Sequence, residues 1–221
     1  MHTTQLSGSI RSLFLDGPSG RIEALLNSGS EHSSHAALVC HPHPLYGGTM
    51  HNKVVFHAMK ALNGFGFPVL RFNFRGTGLS LGEHDQGRGE VDDVRTALDW
   101  LDREFHRPLI FAGFSFGAAV GVRAACPDER VTALIALGLP LQPVAEPSYD
   151  LDVLRSSTKP KLFVSGSRDQ FASGAQLEEF VRTLPQPKKL VVIESADHFF
   201  AGRLREMREA IEVWTRDTIV R

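Results

Sequence analysis

An α/β fold built on a mostly parallel sheet is predicted for this 221-residue chain by three observations. Short apolar runs bounded by turn formers alternate with stretches of helical period, and the chain opens on a pair of segments that reads as an antiparallel hairpin. The hairpin comes first. Segments 9–15 and 21–27 flank Asp16-Gly17-Pro18-Ser19-Gly20, a cluster of turn residues. Strands are then expected at 36–40, 68–74, 109–113, 131–137, 161–165 and 190–194. Each is short and apolar enough to be buried on both faces, as the strands of a parallel sheet are.

Between the strands, three sets of apolar residues recur at spacings of three and four, which places each set on one face of a helix. They are Val91, Val94, Leu98 and Leu101; Leu177, Phe180, Val181 and Leu184; and Leu204, Met207, Ile211 and Trp214. The small residues Ala118-Ala119-Val120-Gly121 suit the start of a further helix. The longest irregular segment, 75–89, carries five glycines beyond Arg75. A loop of that length in a compact domain is a candidate for function.

With 42% hydrophobic residues the chain can bury a substantial core, and its length suits one domain over 1–221. A net charge of −1, from 24 basic and 25 acidic residues, leaves no basic footprint for nucleic acid. Met1-His2-Thr3-Thr4-Gln5 lacks the basic region and apolar core of a signal peptide, and no apolar run approaches a membrane span. A cytoplasmic protein acting on a small molecule, with no membrane or nucleic-acid partner, is the expectation, and the oligomeric state is left open. The two cysteines, Cys40 and Cys126, read as reduced structural thiols.

The chemistry centres on Gly113-Phe114-Ser115-Phe116-Gly117, a GxSxG between the strand at 109–113 and the expected helix. In a nucleophile elbow the serine occupies a sharp, strained turn, and the glycines two residues either side let backbones pack closely. A serine hydroxyl attacks an acyl carbon poorly unless a base removes its proton and an acid orients that base. With an elbow these partners follow the serine as acid, then histidine. Nine of the ten histidines precede Ser115, so His198, just past the last expected strand, is the candidate base. Asp169, immediately after the strand at 161–165, is the candidate acid by the same strand-end rule. Asp150 and Asp152 compete from a segment that looks like a short helix or its approach. Asp128 and Asp197 are poorly placed.

A developing oxyanion needs backbone donors, and Phe116 supplies the N–H after the nucleophile. In His41-Pro42-His43-Pro44-Leu45-Tyr46-Gly47-Gly48 the prolines have no N–H, so His43 is the best-placed second donor, with Leu45 and Tyr46 as alternatives. The same run invites a metal reading. His51, His57, His84 and Asp85 show no recognised ligand spacing beside it, so no metal and no other cofactor is expected.

Taken together, the motifs resemble those of the α/β-hydrolase superfamily, from the opening hairpin to the final helix. His41-Pro42-His43-Pro44 with Gly47-Gly48 and Asn52-Lys53 is similar to the oxyanion loop of a group of small, lidless serine hydrolases. Asn73-Phe74-Arg75-Gly76-Thr77-Gly78-Leu79-Ser80 is similar to the RGxGxS loop after the family's fourth strand. The nucleophile position holds serine, where the related dienelactone hydrolases use cysteine. Ten residues separate Leu137 from Ser148, too few for a helical lid. The resemblance implies the α/β-hydrolase fold without a lid domain, helices on both sheet faces, and an open site for short or moderately sized acyl groups.

Leu45, Tyr46, Leu139, Phe171 and Phe199 are the expected pocket residues, with Phe116 and Phe200 as further apolar candidates and Phe114 expected in the core. The implied activity is hydrolysis of carboxylic esters through an acyl-enzyme on Ser115, His198 and Asp169. Thioesters, short peptides and amides are alternatives on the same residues. A non-catalytic binding protein on this scaffold is the contrasting class, and the filled nucleophile, acid and base positions argue against it.

Overall fold

The structure is a computed structural model and describes residues 9–142 and 149–220. Eight strands form one sheet in the order β1-β2-β4-β3-β5-β6-β7-β8. The hairpin is β1 (Ile10–Gly17) and β2 (Gly20–Asn27), and β2 also runs antiparallel to β4 (Val69–Phe72). The remaining pairings are parallel, through β3 (Ala36–Cys40), β5 (Leu109–Phe114), β6 (Val131–Leu137), β7 (Lys161–Gly166) and β8 (Lys188–Ile193).

The helices are α1 (Lys53–Asn63), α2 (Gly89–Phe105), α3 (Phe116–Ala125), the single turn α4 (Val153–Ser156), α5 (Gly174–Arg182) and α6 (Leu204–Thr218). Two apolar layers explain why the central strands are apolar on both faces. Ala36, Leu38, Leu109, Phe111, Leu134 and Ala136 face one layer, shared with Val94 and Leu98 of α2, Val120 of α3 and Leu177 of α5. Ala37, Val39, Ile110, Ala112, Ile135 and Leu137 face the other, shared with Val55 and Met59 of α1 and Ile211 and Trp214 of α6. Alternate residues of a strand point to opposite faces, so a sheet covered on both sides needs both sets apolar.

Several boundaries differ from expectation for local reasons. β4 is shorter than 68–74 because the chain leaves the ladder after Asn73: Asn73 still donates its N–H to the Glu23 carbonyl of β2, but Phe74 donates its N–H to His41 Nε2. Helix α3 begins at Phe116, not Ala118, because the turn at Ser115 leads straight into it. α1 has no counterpart among the three expected stripes. Its signal is an Asn52 side chain that accepts from the Val54 N–H, followed by buried Val54, Val55, Ala58, Met59, Ala61 and Leu62.

The glycine-bearing segment 75–89 proves to be stitched to the scaffold. Arg75 forks onto buried Asp93 of α2 with contacts of 2.8–3.2 Å and also gives it its backbone N–H. Ser80 donates to the Asn73 carbonyl and accepts from the Glu23 N–H. Buried Glu90 accepts from the N–H groups of Asp85 and Gly87. Cys40 and Cys126 are unbridged and buried, and burial pushes both thiols up, Cys126 to about 11, so neither is a thiolate at neutral pH. Among the described residues no helix is long and apolar enough to cross a membrane.

Candidate active site

The sheet changes direction of winding around β3, which lies between β4 and β5. The loops after β3 and β5 leave toward opposite layers, one to α1 and the other to α3, and open a crevice at the carboxyl ends of the strands. The GxSxG segment stands there. Ser115 has φ 53° and ψ −121°, a conformation costly for a residue with a side chain. It is held by its N–H, which donates to the Leu137 carbonyl at 2.9 Å, and by its carbonyl, which accepts from Ala118 and Ala119 at 2.9 and 3.0 Å.

The flanking glycines are required by contact. A Cβ on Gly113 would stand 2.6 Å from the Gly117 carbonyl oxygen; one on Gly117 would meet the His41 carbonyl and lie 2.8 Å from that of Cys40. These neighbours are backbone and cannot swing aside. Gly117→Ala is therefore expected to destabilise the fold by about 2–3 kcal/mol, read as a lower urea midpoint with an unchanged slope. An unchanged midpoint would contradict the close packing of the elbow against β3.

His41 is fully buried, and both of its ring nitrogens are engaged. Nε2 accepts the Phe74 N–H at 3.0 Å, so Nδ1 carries the proton and donates to the Pro42 carbonyl at 2.6 Å. The ring ties the end of β3 to the end of β4 and is not available to a metal. Among the described residues no group of three or more His, Cys, Asp or Glu side chains is placed to hold one.

Burial, aided by the neighbouring His43 and opposed by the Pro42 carbonyl, lowers the His41 pKa to about 4. The unfolded chain then binds a proton that the folded protein refuses between about pH 6.5 and 4. Stability is intact above that window and falls as pH falls through it, by about 3 kcal/mol for this residue. Unfolding free energies measured from pH 7 to 4 should fall more steeply for the wild type than for His41→Asn, and parallel curves would remove His41 as the cause.

Three residues singled out by the sequence converge at the elbow. His198 Nε2 lies 2.9 Å from Ser115 Oγ, and its Nδ1 lies 2.8 Å from Asp169 Oδ2. An ionised carboxylate only accepts, so Nδ1 donates to it and the Nε2 lone pair faces the serine hydroxyl. Asp169 Oδ1 accepts from the Phe171 N–H at 2.9 Å, and Oδ2 also accepts from Ser165 Oγ at 3.3 Å. Such an array can take the hydroxyl proton while the carboxylate steadies the imidazolium. His198 and Asp169 are 2% and 4% exposed, and the imidazole is walled by Phe171, Phe114 and Phe199 with ring centroids 4.5–5.2 Å away.

The loops carrying acid and base are clasped together. Ser195 donates its N–H to Ser167 Oγ at 2.8 Å, Arg168 donates its N–H to the Ala196 carbonyl, and a Cβ on Gly166 would collide with that same carbonyl. The competing aspartates are engaged elsewhere. Asp150 accepts from the Asp152 N–H, Asp152 pairs with Arg155, Asp128 pairs with Arg130, and Asp197 accepts from the N–H groups of Phe199 and Ala201.

Phe116 opens α3, where its N–H has no carbonyl four residues back inside the helix, and the Ser115 side chain does not cap it. In the loop after β3 a short 3-10 turn spans Pro44–Tyr46. Within it Leu45 gives its N–H to His43 Nδ1 and Tyr46 gives its N–H to the His43 carbonyl, both at 3.2 Å.

A cavity of about 380 Å³ opens onto Ser115 and His198. Tyr46, Phe171 and Phe199 line it, together with Pro42, His43, Gly47, Gly48, Asn52 and Tyr149. Two expected wall residues are elsewhere. Leu45 is 67% exposed and is not part of the cavity wall, whereas Tyr46, 64% exposed, stands at its rim; Leu139 is 1% exposed and belongs to the core on the α2–α3 face. Phe116 and Phe200 are likewise core residues, as is Phe114. Asn52 is named by the sequence only within the oxyanion-loop motif, and Tyr149 not at all. Asn52 was readable as a helix cap, and Tyr149 carried no signal that would place it beside the elbow.

Comparison with known proteins follows the same lines. The family model described as alpha/beta hydrolase domain matches residues 33–218. An uncharacterized protein of Rickettsia prowazekii is 35% identical over 206 residues, 90% of this chain and 86% of that protein. A serine hydrolase without a lid from Xanthomonas campestris superposes with a TM-score of 0.83 at 33% identity, over 95% of this chain and 94% of its own. An alpha-beta serine hydrolase homologue from Coxiella burnetii gives 0.83 at 36%, over 94% and 97%.

Proposed function

The chain belongs to the α/β-hydrolase domain family and is a lidless hydrolase, and from that premise we propose that it cleaves small or moderately sized carboxylic esters through an acyl-enzyme on Ser115. One observation carries the reading: His198 stands 2.9 Å from Ser115 Oγ through one nitrogen and 2.8 Å from Asp169 through the other.

Ser115 Oγ attacks the ester carbonyl as its proton passes to His198 Nε2. The tetrahedral oxyanion is met by the N–H groups of Phe116 and His43; losing one such donor costs about 10²- to 10³-fold. His43 lines the cavity over Ser115 in the loop after β3, the place for such a donor. As the tetrahedral species collapses, the C–O bond to the alcohol breaks and the proton on Nε2 goes to the leaving oxygen. Water then enters, gives a proton to His198 and adds to the acyl carbon; Ser115 leaves with that proton and the acid is released. A cavity of about 380 Å³ with Tyr46, Tyr149 and Phe171 on its wall suits a short or moderate acyl group.

A fluorophosphonate probe should label Ser115, located by peptide mass spectrometry, and short-chain nitrophenyl esters should be hydrolysed. A panel of esters, thioesters and amides of graded chain length would rank the substrates that share this acyl-enzyme. Failure of the probe to label Ser115 would favour a binding protein on the hydrolase scaffold. Activity abolished by a chelator and restored by metal would overturn the metal-free mechanism.

A further inference from the structure

Phe199 belongs to two hollows at once. On one side it lines the cavity over Ser115; on the other it lines a second one, of about 520 Å³, between the start of α1 and the approach to α6. Asn52 is also common to both, so the two meet at Asn52 and Phe199. The second hollow is largely apolar, with Val54, Ala201 and Leu204 on its wall, and among the described residues Lys53 is the one formally charged residue lining either. Lys53 is exposed, forms no ion pair among the described residues, and α1 carries no acid in its first turn to offset it.

The reaction assigns a direction to these spaces. The proton for the leaving oxygen comes from His198 Nε2, so the alcohol departs on the histidine's side. Phe199 follows His198 directly, and their rings stand 5.2 Å apart, edge to face. An alcohol arm running along Phe199 therefore enters the second hollow, while the acyl arm stays in the first against Tyr46 and Phe171.

We propose that the second hollow is the leaving-alcohol subsite, and that Lys53 makes the enzyme selective for esters whose alcohol carries an anionic group such as a carboxylate, phosphate or sulfonate. The inference rests on the ester-hydrolase reading above and names its substrate class. An exposed cation contributes modestly by attraction, and discrimination between an anion and a cation doubles that difference.

The test is a series of butyrate esters whose alcohols share one alkyl spacer and end in sulfonate, hydroxyl or trimethylammonium. A mirror series places the same ends on the acyl chain and keeps a neutral alcohol. In the alcohol series kcat/KM should favour sulfonate over ammonium by about fivefold or more. Lys53→Met should flatten that ratio and Lys53→Glu should invert it, while the mirror series stays flat. A wild-type ratio within about twofold of unity, a ratio unmoved in Lys53→Glu, or an equal preference in the mirror series would overturn the proposal. So would failure to cleave the alcohol series by an enzyme that still cleaves nitrophenyl esters. If nitrophenyl esters also resist and Ser115 takes no probe, the ester-hydrolase reading itself fails and this inference falls with it.

Discussion

Ser115→Ala is expected to lower kcat on a nitrophenyl ester by about 10⁶-fold, because serine, histidine and aspartate act as one unit and removing the nucleophile removes the acyl-enzyme route. The fold should be little changed. The backbone of residue 115 is held through main-chain bonds to Leu137, Ala118 and Ala119, which alanine keeps. A residual rate about 10³- to 10⁴-fold above that in water should remain from binding and oxyanion donors. Adding His198→Ala to this variant should cost little more, since the base would have no nucleophile to serve. A Ser115→Ala enzyme within about tenfold of wild type would place the nucleophile elsewhere.

Asp169→Asn should cost about 10⁴-fold in kcat with near-native stability, and the reason lies in which side of the new amide faces the histidine. The Phe171 N–H needs an acceptor at the Oδ1 position, 2.9 Å away, so the asparagine oxygen settles there and its NH₂ group faces His198. A donor opposite Nδ1 drives the imidazole proton to Nε2, where it meets the Ser115 hydroxyl with no lone pair left to accept. Ser165, 3.3 Å from Oδ2, can accept from the same NH₂ and fix the orientation. Kinetics together with the imidazole ¹⁵N signals would check the tautomer. A normal rate would mean that Asp169 does not orient the base.

Much of this was legible in the sequence because the constraints were local or few. The strands showed as apolar runs because both of their faces are covered, and the single histidine after Ser115 is the one that stands 2.9 Å from its Oγ. The wall of the site was less readable. Leu45 and Tyr46 are neighbours in the chain and almost equally exposed, yet of the two Tyr46 alone stands on the cavity wall, a difference set by the 3-10 turn and not by residue type. Leu139 follows Gly138, whose φ of 50° redirects the chain after β6, and strand alternation no longer says which way its side chain goes. The segment 75–89 resembled a functional loop because its partners are remote in sequence: Arg75 is paid for by Asp93, and Ser80 is joined to Glu23 across 57 residues.

The order of the strands gives the nucleophile and its base different fates. Ser115 rises from β5, fourth from one end of the sheet and hydrogen-bonded to neighbours on both sides. His198 hangs from β8, the outermost strand, most of whose residues are at least partly open to solvent, and the clasp between residues 166–168 and 195–196 couples the acid to it. An edge can fray while the middle of a sheet persists. Loosening of that edge on heating would carry His198 and Asp169 away together while the elbow at Ser115 stays in place.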